Sequence, residues 1–469
     1  MGELVFSCLV PHPPFMVKEI GGSDVAKAEQ TINSLKKINS RLQELKPDTL
    51  VVITPHGAPF GDAVAITVEE DLRGDFSYFN FPQLAFRFPN NRQLVELIRQ
   101  KAAKYNVLTI GLDEQTAEKY GVEIELDHGI LAPLYYLGEG LKFRLVPVHM
   151  SFLEPLKLYR FGMAMQKAII ESHSKVALII SGDMSHCLTE DAPTGYNPKG
   201  KEFDQKIKEL LADWDVPAIV KLDPDFVEEA AQCGYRSIVM GLGALDGFRV
   251  KSEILSYEAP YHVGYLVATF EPTGRDKKHS YYEQMKALQE KEIEEARRNE
   301  SPIVRYARLC VESYLLGKEM PSPPDSAEVP ADLPKKAGVF VTLKKYGRLR
   351  GCIGTVRASK KNIWEEISRN AIDAATKDPR FSRVSAEELP ELTYSVDILS
   401  PTEEVRSLNE LDPKVYGIIV FQGSRRGLLL PDLAGVNTVR DQIRIACEKA
   451  GIKEGSKFDI VRFTVRRFT

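Results

Sequence analysis

Eight histidines, His12, His56, His128, His149, His173, His186, His262 and His279, all lie in the first 279 residues of a 469-residue chain. An imidazole with a pKa of about 6.5 can ligate a metal or carry a proton near neutral pH, so chemistry of either kind belongs to the first part of this sequence. Three of the eight occupy equivalent places: His12 follows the apolar run LVFSCLV, His56 follows TLVVI, and His186 follows VALIIS. Ligands of open α/β sheets bind beyond the carboxyl ends of the strands. If those runs are parallel strands, their histidines rise from one edge and converge.

Rigid turns surround each of the three. Pro11, Pro13 and Pro14 flank His12, Pro55 and Gly57 flank His56, and Gly182 and Asp183 precede His186. Proline fixes φ and glycine permits tight turns, so such loops hold a ring in one direction. His128, beside Asp127 in ELDHGILAPL, is a fourth candidate, and His149 is a candidate supporting residue; His173, His262 and His279 read as surface or structural residues. A further ligand is expected after Pro224, where DFVEEAAQ reads as a short capped helix with Cys233 and Gly234 at its end. Spacing alone leaves Cys233, Glu228 and Glu229 all open.

Later in the chain, RGCIG places Arg350, Gly351 and Cys352 on one strand, with the arginine and the thiol on one face by two-residue periodicity. A guanidinium there would lower the thiol pKa and favour nucleophilic or redox chemistry; a cysteine packed in a glycine-tight hairpin is the competing expectation. Arg425 and Arg426 form a candidate anion-binding patch, set against the ordinary charge of an exposed hairpin turn.

Up to about residue 270, β-branched runs alternate with amphipathic helical stretches, as an α/β domain with a largely parallel or mixed central sheet flanked by helices requires. Residues 271–300 turn charged and polar and read as a linker containing a solvated helix. From residue 301 onward, a helix capped by Ser301 with Pro302 at its first position precedes two hairpins, GVFVTLKKYGRLRGCIG and YGIIVFQGSRRGLLLP. With further strands TYSVDILS and FDIVRFTV, residues 301–469 read as an α+β domain of antiparallel strands.

Composition excludes other classes. A net charge of −4 with 27% charged residues reads as a chain with neither a strongly basic nor a strongly acidic face, so nucleic acid is not a favoured partner. No apolar run reaches the roughly 18 to 20 residues of a membrane span, and the N-terminal stretch lacks a signal-peptide pattern, so a cytoplasmic protein is expected. Six scattered cysteines without a Cys-x-x-Cys pair are expected to be reduced thiols.

At the residues singled out above, the sequence resembles the LigB-type class III extradiol dioxygenase superfamily and its Memo branch. The resemblance runs through PHPP at His12, ITPHG at His56, LDHGILAPL at His128, SGDMSHCL at His186 and AAQCGYRS at Cys233, in that order, and APTGYNPKGKEFD strengthens the match to the Memo-like branch. It implies that His12 and His56 are metal ligands, that His128 and His186 do acid/base or supporting work, and that Asp183 orients them. Ring-cleaving members use a glutamate as third ligand to Fe(II); Cys233 holds that place here, as in Memo-like proteins. A thiolate is softer, so Fe(II) is the expected metal with copper or zinc as alternatives.

Residues 296–469 resemble the AMMECR family through LRGCIGT, ELTYSVDILSP and RRGLLLP. This fusion is the arrangement of the AmmeMemoRadiSam system, which implies a radical-SAM protein as partner. The expectation is therefore an oxidoreductase acting on a small catechol-like diol. Its rival is a copper- or iron-binding redox or partner module without ring cleavage, and zinc hydrolysis is less favoured.

Overall fold

The computed structural model describes residues 1–433, 436, 438–453 and 456–469. The chain divides into two compact units, Met1–Lys286 and Ala287–Thr469. No helix among the described residues is long and apolar enough to cross a membrane.

The first unit contains strands β1 (Glu3–Val10), β2 (Thr49–Thr54), β3 (Val64–Thr67), β4 (Asp71–Phe76), β5 (Phe81–Pro89), β6 (Thr109–Leu112), β7 (Arg144–His149), β8 (Lys175–Ser181), β9 (Phe248–Glu258) and β10 (Tyr265–Arg275). Eight of them form one mixed sheet in the order β6-β3-β7-β2-β8-β1-β10-β9, and β4 and β5 pair as a separate hairpin. Its middle, β7-β2-β8-β1, is parallel throughout, while β10 joins β1 antiparallel and β9 joins β10 antiparallel.

Every residue of β2 is buried, as expected for a parallel strand covered on both faces. Alternate side chains then supply two different cores. Val51 and Ile53 of β2 and Leu178 and Ile180 of β8 face one core, which the helices Arg92–Lys104, Pro155–Glu171 and Gly234–Ala244 close. Leu50, Val52, Ala177 and Ile179 face the other, closed by the helices Glu29–Leu45 and His128–Leu137. Residues 271–275, expected as linker, continue β10 instead. The carboxylate of buried Asp246 accepts hydrogen bonds from Tyr159 Oη at 2.6 Å, Ser280 Oγ at 2.8 Å and the Tyr281 amide at 2.8 Å, which fastens that segment to the first unit. The charged helix Tyr282–Arg298 follows.

In the second unit, strands β11 (Val339–Lys345), β12 (Arg348–Thr355), β13 (Leu392–Leu399), β14 (Glu403–Glu404), β15 (Gly417–Gln422), β16 (Arg425–Leu429), β17 (Asp459–Phe463) and β18 (Val465–Phe468) make two four-stranded antiparallel sheets, β12-β11-β13-β18 and β14-β17-β15-β16. Ser301 Oγ caps the helix Pro302–Leu316, which with the helix Ile363–Thr376 packs on Val339, Val341, Leu343, Val396 and Ile398 of the first sheet. The β11–β12 hairpin turns through Tyr346 and Gly347 at φ +50° and +79°, a backbone handedness matched to strand twist.

Candidate metal centre

The parallel middle of the sheet brings the predicted residues to one end. His12 lies two residues beyond β1, His56 two beyond β2, and Asp183 two beyond β8. His12 Nε2 faces His56 Nε2 at 2.9 Å, and the His128 ring lies 4.3 Å from that of His56 and 5.5 Å from that of His12, centroid to centroid.

His12 is held at its amide and at its ring. Its amide donates to Asp183 Oδ1 at 2.9 Å, and its Nδ1 lies 2.9 Å from Ser181 Oγ. The Ser181 hydroxyl donates its proton to the Gly129 carbonyl at 2.5 Å. Ser181 therefore meets His12 as an acceptor, Nδ1 carries the hydrogen, and Nε2 presents a bare lone pair to the space it shares with His56. This is the second partner that commonly fixes a ligating imidazole.

Further bonds position the other loops. Asp127 caps the helix that opens at His128; its Oδ1 accepts from the Gly129 amide and the Thr54 hydroxyl, both at 2.7 Å, and Thr54 Oγ1 accepts from the His56 amide at 3.2 Å. Behind this loop, His149 Nδ1 accepts from the Ala58 amide at 3.3 Å, which leaves its Nε2 hydrogen for Thr67 Oγ1 at 3.0 Å. On the far side, the Asp183 amide donates to Cys233 Sγ at 3.3 Å, and Cys233 Sγ lies 3.7 Å from His12 Nε2. Gly182 and Gly234 make this possible: a Cβ on Gly182 would stand 2.3 Å from the Gly234 Cα.

Two groups of potential donors result, each with ligand atoms within 4.8 Å of one another: His12, His56 and His128, and His12, Asp183 and Cys233. His12 belongs to both. Glu228 and Glu229 belong to neither, and the Glu228 carboxylate pairs instead with Arg236 at 3.0 Å. Cys233 does not close the preceding helix, which ends at Glu229; it is the residue before the helix Gly234–Ala244. The glycine that read as a helix stop is there for the close contact with Gly182.

Electrostatics favour neutral imidazoles. Burial, with His56 and His186 adding to it, holds His12 well below the ordinary range. Burial and then the His128 imidazole lower His56 to about 4, and burial and then His12 lower His128 to about 3. Burial also lowers His186, against the opposing pull of Asp183, and raises the Asp183 carboxyl to about 6 and the Cys233 thiol well above its usual value. With neutral rings, the contacts of Asp183 Oδ2 to His12 Nε2 at 3.8 Å and His186 Nε2 at 3.9 Å are not ion pairs. His186 Nε2 and Asp127 Oδ2 are buried without a hydrogen-bond partner among the described residues. Unprotonated nitrogens and a sulfur with ligand atoms this close fit a transition-metal ion.

Sequence reasoning missed Ser181, the last residue of VALIIS, and Phe79, whose ring meets the His128 ring edge-on at 5.4 Å. Phe79 sits between β4 and β5, and the alternation of Leu84, Phe86 and Phe88 was the available signal for that hairpin.

In the second unit the expectation for Arg350 and Cys352 is corrected. The ladder slips between Leu343 and Lys344, so Arg350 occupies a bulge and simple alternation fails. Arg350 pairs with Glu388 through two bonds of 2.9 Å and leaves Cys352 alone. Burial raises the Cys352 thiol, and the neighbouring cation that opposes this is Arg380. Gly351 lies under the helix Ile363–Thr376, where a Cβ would stand 2.1 Å from the Ala374 carbonyl oxygen. Arg425 donates to the Gly451 carbonyl at 2.9 Å from the exposed β15–β16 turn.

Residues 7–268 match the family described as catalytic LigB subunit of aromatic ring-opening dioxygenase. This covers more than half of the chain, which belongs to that family. Residues 304–468 match AMMECR1, so the protein is a fusion of a LigB domain with a C-terminal AMMECR1 domain. A Clostridium acetobutylicum protein is 39% identical over 462 residues, 98% of this chain and 98% of its own. A Thermotoga maritima protein is 53% identical over 172 residues, covering 36% of this chain and 98% of its own. The crystal structure of an uncharacterized Pyrococcus horikoshii protein aligns at 31% identity over 36% of this chain and 89% of its own, with a TM-score of 0.33.

Proposed function

We propose that the first unit is a non-haem metal oxidoreductase of the class III extradiol type, binding Fe(II) and acting on a small catechol-like diol. The observation that carries this reading is the His12 Nε2 lone pair, fixed through Ser181 and directed at His56 Nε2 2.9 Å away. His12 and His56 would hold the ion and Cys233 would complete the set. Such an ion supplies Lewis acidity and a route for electrons between a diol and dioxygen.

The chain's own residues do the rest. His186, neutral and with Nε2 unpartnered, is the base that takes a proton from a diol hydroxyl. Asp183, whose Oδ2 lies 3.9 Å from that nitrogen, steadies the imidazolium so formed. His128 offers a hydrogen bond to a substrate oxygen, with Phe79 shielding one edge of its ring.

The test is anaerobic metal analysis of the native protein beside Cys233→Ala and His128→Gln, followed by oxygen uptake by the iron-loaded protein with a panel of catechols. Iron bound natively, lost in Cys233→Ala, with oxygen consumed on one diol, is the expected result. Iron retained in Cys233→Ala and lost in His128→Gln would assign the third position to His128.

A second reading is favoured by one observation, the Cys233 sulfur within 3.7 Å of His12 Nε2. A soft donor suits Cu(I), and the unit would then be a Memo-like copper or iron redox module acting with a radical-SAM partner. Copper bound with no oxygen uptake on any diol would select it. All six cysteines are free thiols, which supports a cytoplasmic location.

A further inference from the structure

The second unit carries a polar face that the metal centre does not explain. In the sheet β12-β11-β13-β18, the helices cover Val339, Val341, Leu343, Val396 and Ile398. Directly paired residues share a face and successive residues alternate. Cys352 pairs with Thr342, and Asp397 pairs with both Phe340 and Arg467, so these five project from the face opposite the helices.

Two half-exposed arginines flank the thiol. Arg380 is bound to Asp378 through Nε at 2.9 Å and Nη2 at 2.7 Å, and the same carboxylate accepts the Cys352 amide at 2.8 Å. Arg467 is bound to Asp397 through Nε at 2.8 Å and Nη2 at 2.9 Å. The side chains of Asp378 and Asp397 are 2% and 3% exposed, and those of Arg380 and Arg467 are 54% and 47%. Each pair is neutral as a whole, but it is oriented: the carboxylate is buried and the arginine side chain is half exposed. Neither Nη1 has a hydrogen-bond partner among the described residues. The Cys352 sulfur lies within reach of the charge of both arginines, accepts from Thr342 Oγ1 at 3.2 Å, and remains partly exposed where four of the other cysteines are buried.

We propose that this face binds a small organic anion, its carboxylate or phosphate oxygens bridging Arg380 and Arg467 and its body lying against the Cys352 thiol. A guanidinium pinned on one edge by a buried carboxylate is preorganised and loses little freedom on taking an oxyanion on the other. Two of them, one from each side, require a ligand with at least two acceptor oxygens. Phe340 closes one end of the face: its ring covers Gly354, where a Cβ would stand 2.2 Å from it, and packs against Leu399, Ile419 and Phe463. The proposal is one of binding and includes no covalent step by the protein.

Paired alkylating reagents test it on the full chain. Iodoacetate and iodoacetamide each transfer a two-carbon group to the thiol sulfur with loss of iodide, and only iodoacetate is an anion. Mass spectrometry of the Cys352 peptide gives the ratio of the two rates, with the urea-unfolded protein as reference. The folded ratio should favour iodoacetate by about tenfold over the unfolded one, the low end of field-driven rate increases. It should return to the unfolded value in Arg380→Gln/Arg467→Gln, and inorganic phosphate should slow both reagents in the native protein. A native ratio equal to the unfolded one, or no protection by phosphate, overturns the proposal; the phosphate arm needs no variant and decides even if the double variant fails to fold.

Discussion

The metal centre of the first unit and the arginine face of the second meet opposite problems of charge. In the first, titratable rings crowd together at the ends of parallel strands, and burial together with mutual repulsion keeps them neutral, as for His56 at about 4 and His128 at about 3. In the second, the cations cannot be switched off, and each is anchored by a buried carboxylate, Asp378 or Asp397. A cluster of neutral lone pairs is ready for a cation, whereas anchored guanidiniums are ready for an anion. The two units therefore differ in the sign of what they can receive, and that difference follows from which side chains titrate near neutral pH.

The strongest way to break the comparison is to remove the residue common to both donor groups. His12→Ala should lower affinity for Fe(II) or Cu(I), measured by equilibrium competition with a chromophoric chelator, by more than the ~100-fold expected for a supporting residue. Phosphate protection of Cys352 should be unchanged in the same protein. Retained affinity would mean that His12 is a packed structural residue. A sharper version leaves every donor in place: Ser181→Ala removes the acceptor for His12 Nδ1–H and frees the ring to adopt either tautomer. Affinity should fall by ~10–100-fold. An unaltered affinity would show that the tautomer is fixed by something other than Ser181.

How far the sequence reveals such sites depends on how local the determinants are. His12, His56 and Asp183 were legible because their strands are continuous apolar runs, and the parallel order β2-β8-β1 carries the following loops to one end. The pairing of Arg350 with Cys352 was misread because a single bulged residue cancels strict alternation, and no local signal marks it. Gly234 was misread for a related reason: a glycine required by a tertiary contact with Gly182 looks, in sequence, like one that ends a helix. Arg380 and Arg467 were invisible. They are ordinary surface arginines until a ladder joins Asp397 to a residue 70 positions away and a loop folds Asp378 back onto the β12 edge.

The smallest predicted effect separates the two units by pH. Folded imidazoles with lowered pKa bind fewer protons than their unfolded counterparts, so they make stability fall as pH drops below the unfolded value of about 6.5. His12, His56, His128, His149 and His186 all act in this sense. Asp127, Asp183 and Asp204 are raised by burial and act oppositely, being protonated in the fold before they are in the unfolded chain. Five imidazoles against three carboxylates leave a net loss of stability for the metal-free first unit between about pH 6.5 and about pH 4. No histidine follows His279, so the second unit has none, and its perturbed carboxylates are all depressed: Asp378 to about 2 by Arg380, Glu388, against burial, to about 2 by Arg350, and Asp332, Glu366 and Glu387 in the same direction. Its stability is therefore held down to roughly pH 4 and lost as pH falls toward 2. The chain has two tryptophans, Trp214 packed on Phe270 in the first unit and Trp364 packed on Tyr306 in the second, so each unit has its own fluorescent reporter. Urea unfolding of Trp364→Phe should show a midpoint that declines through the upper window, and Trp214→Phe a midpoint flat there and declining only below about pH 4. Midpoints that fall together across both windows would mean that the units unfold as one, and a midpoint of Trp364→Phe that stays flat through the upper window would mean that the buried imidazoles of the first unit are not neutral in the fold.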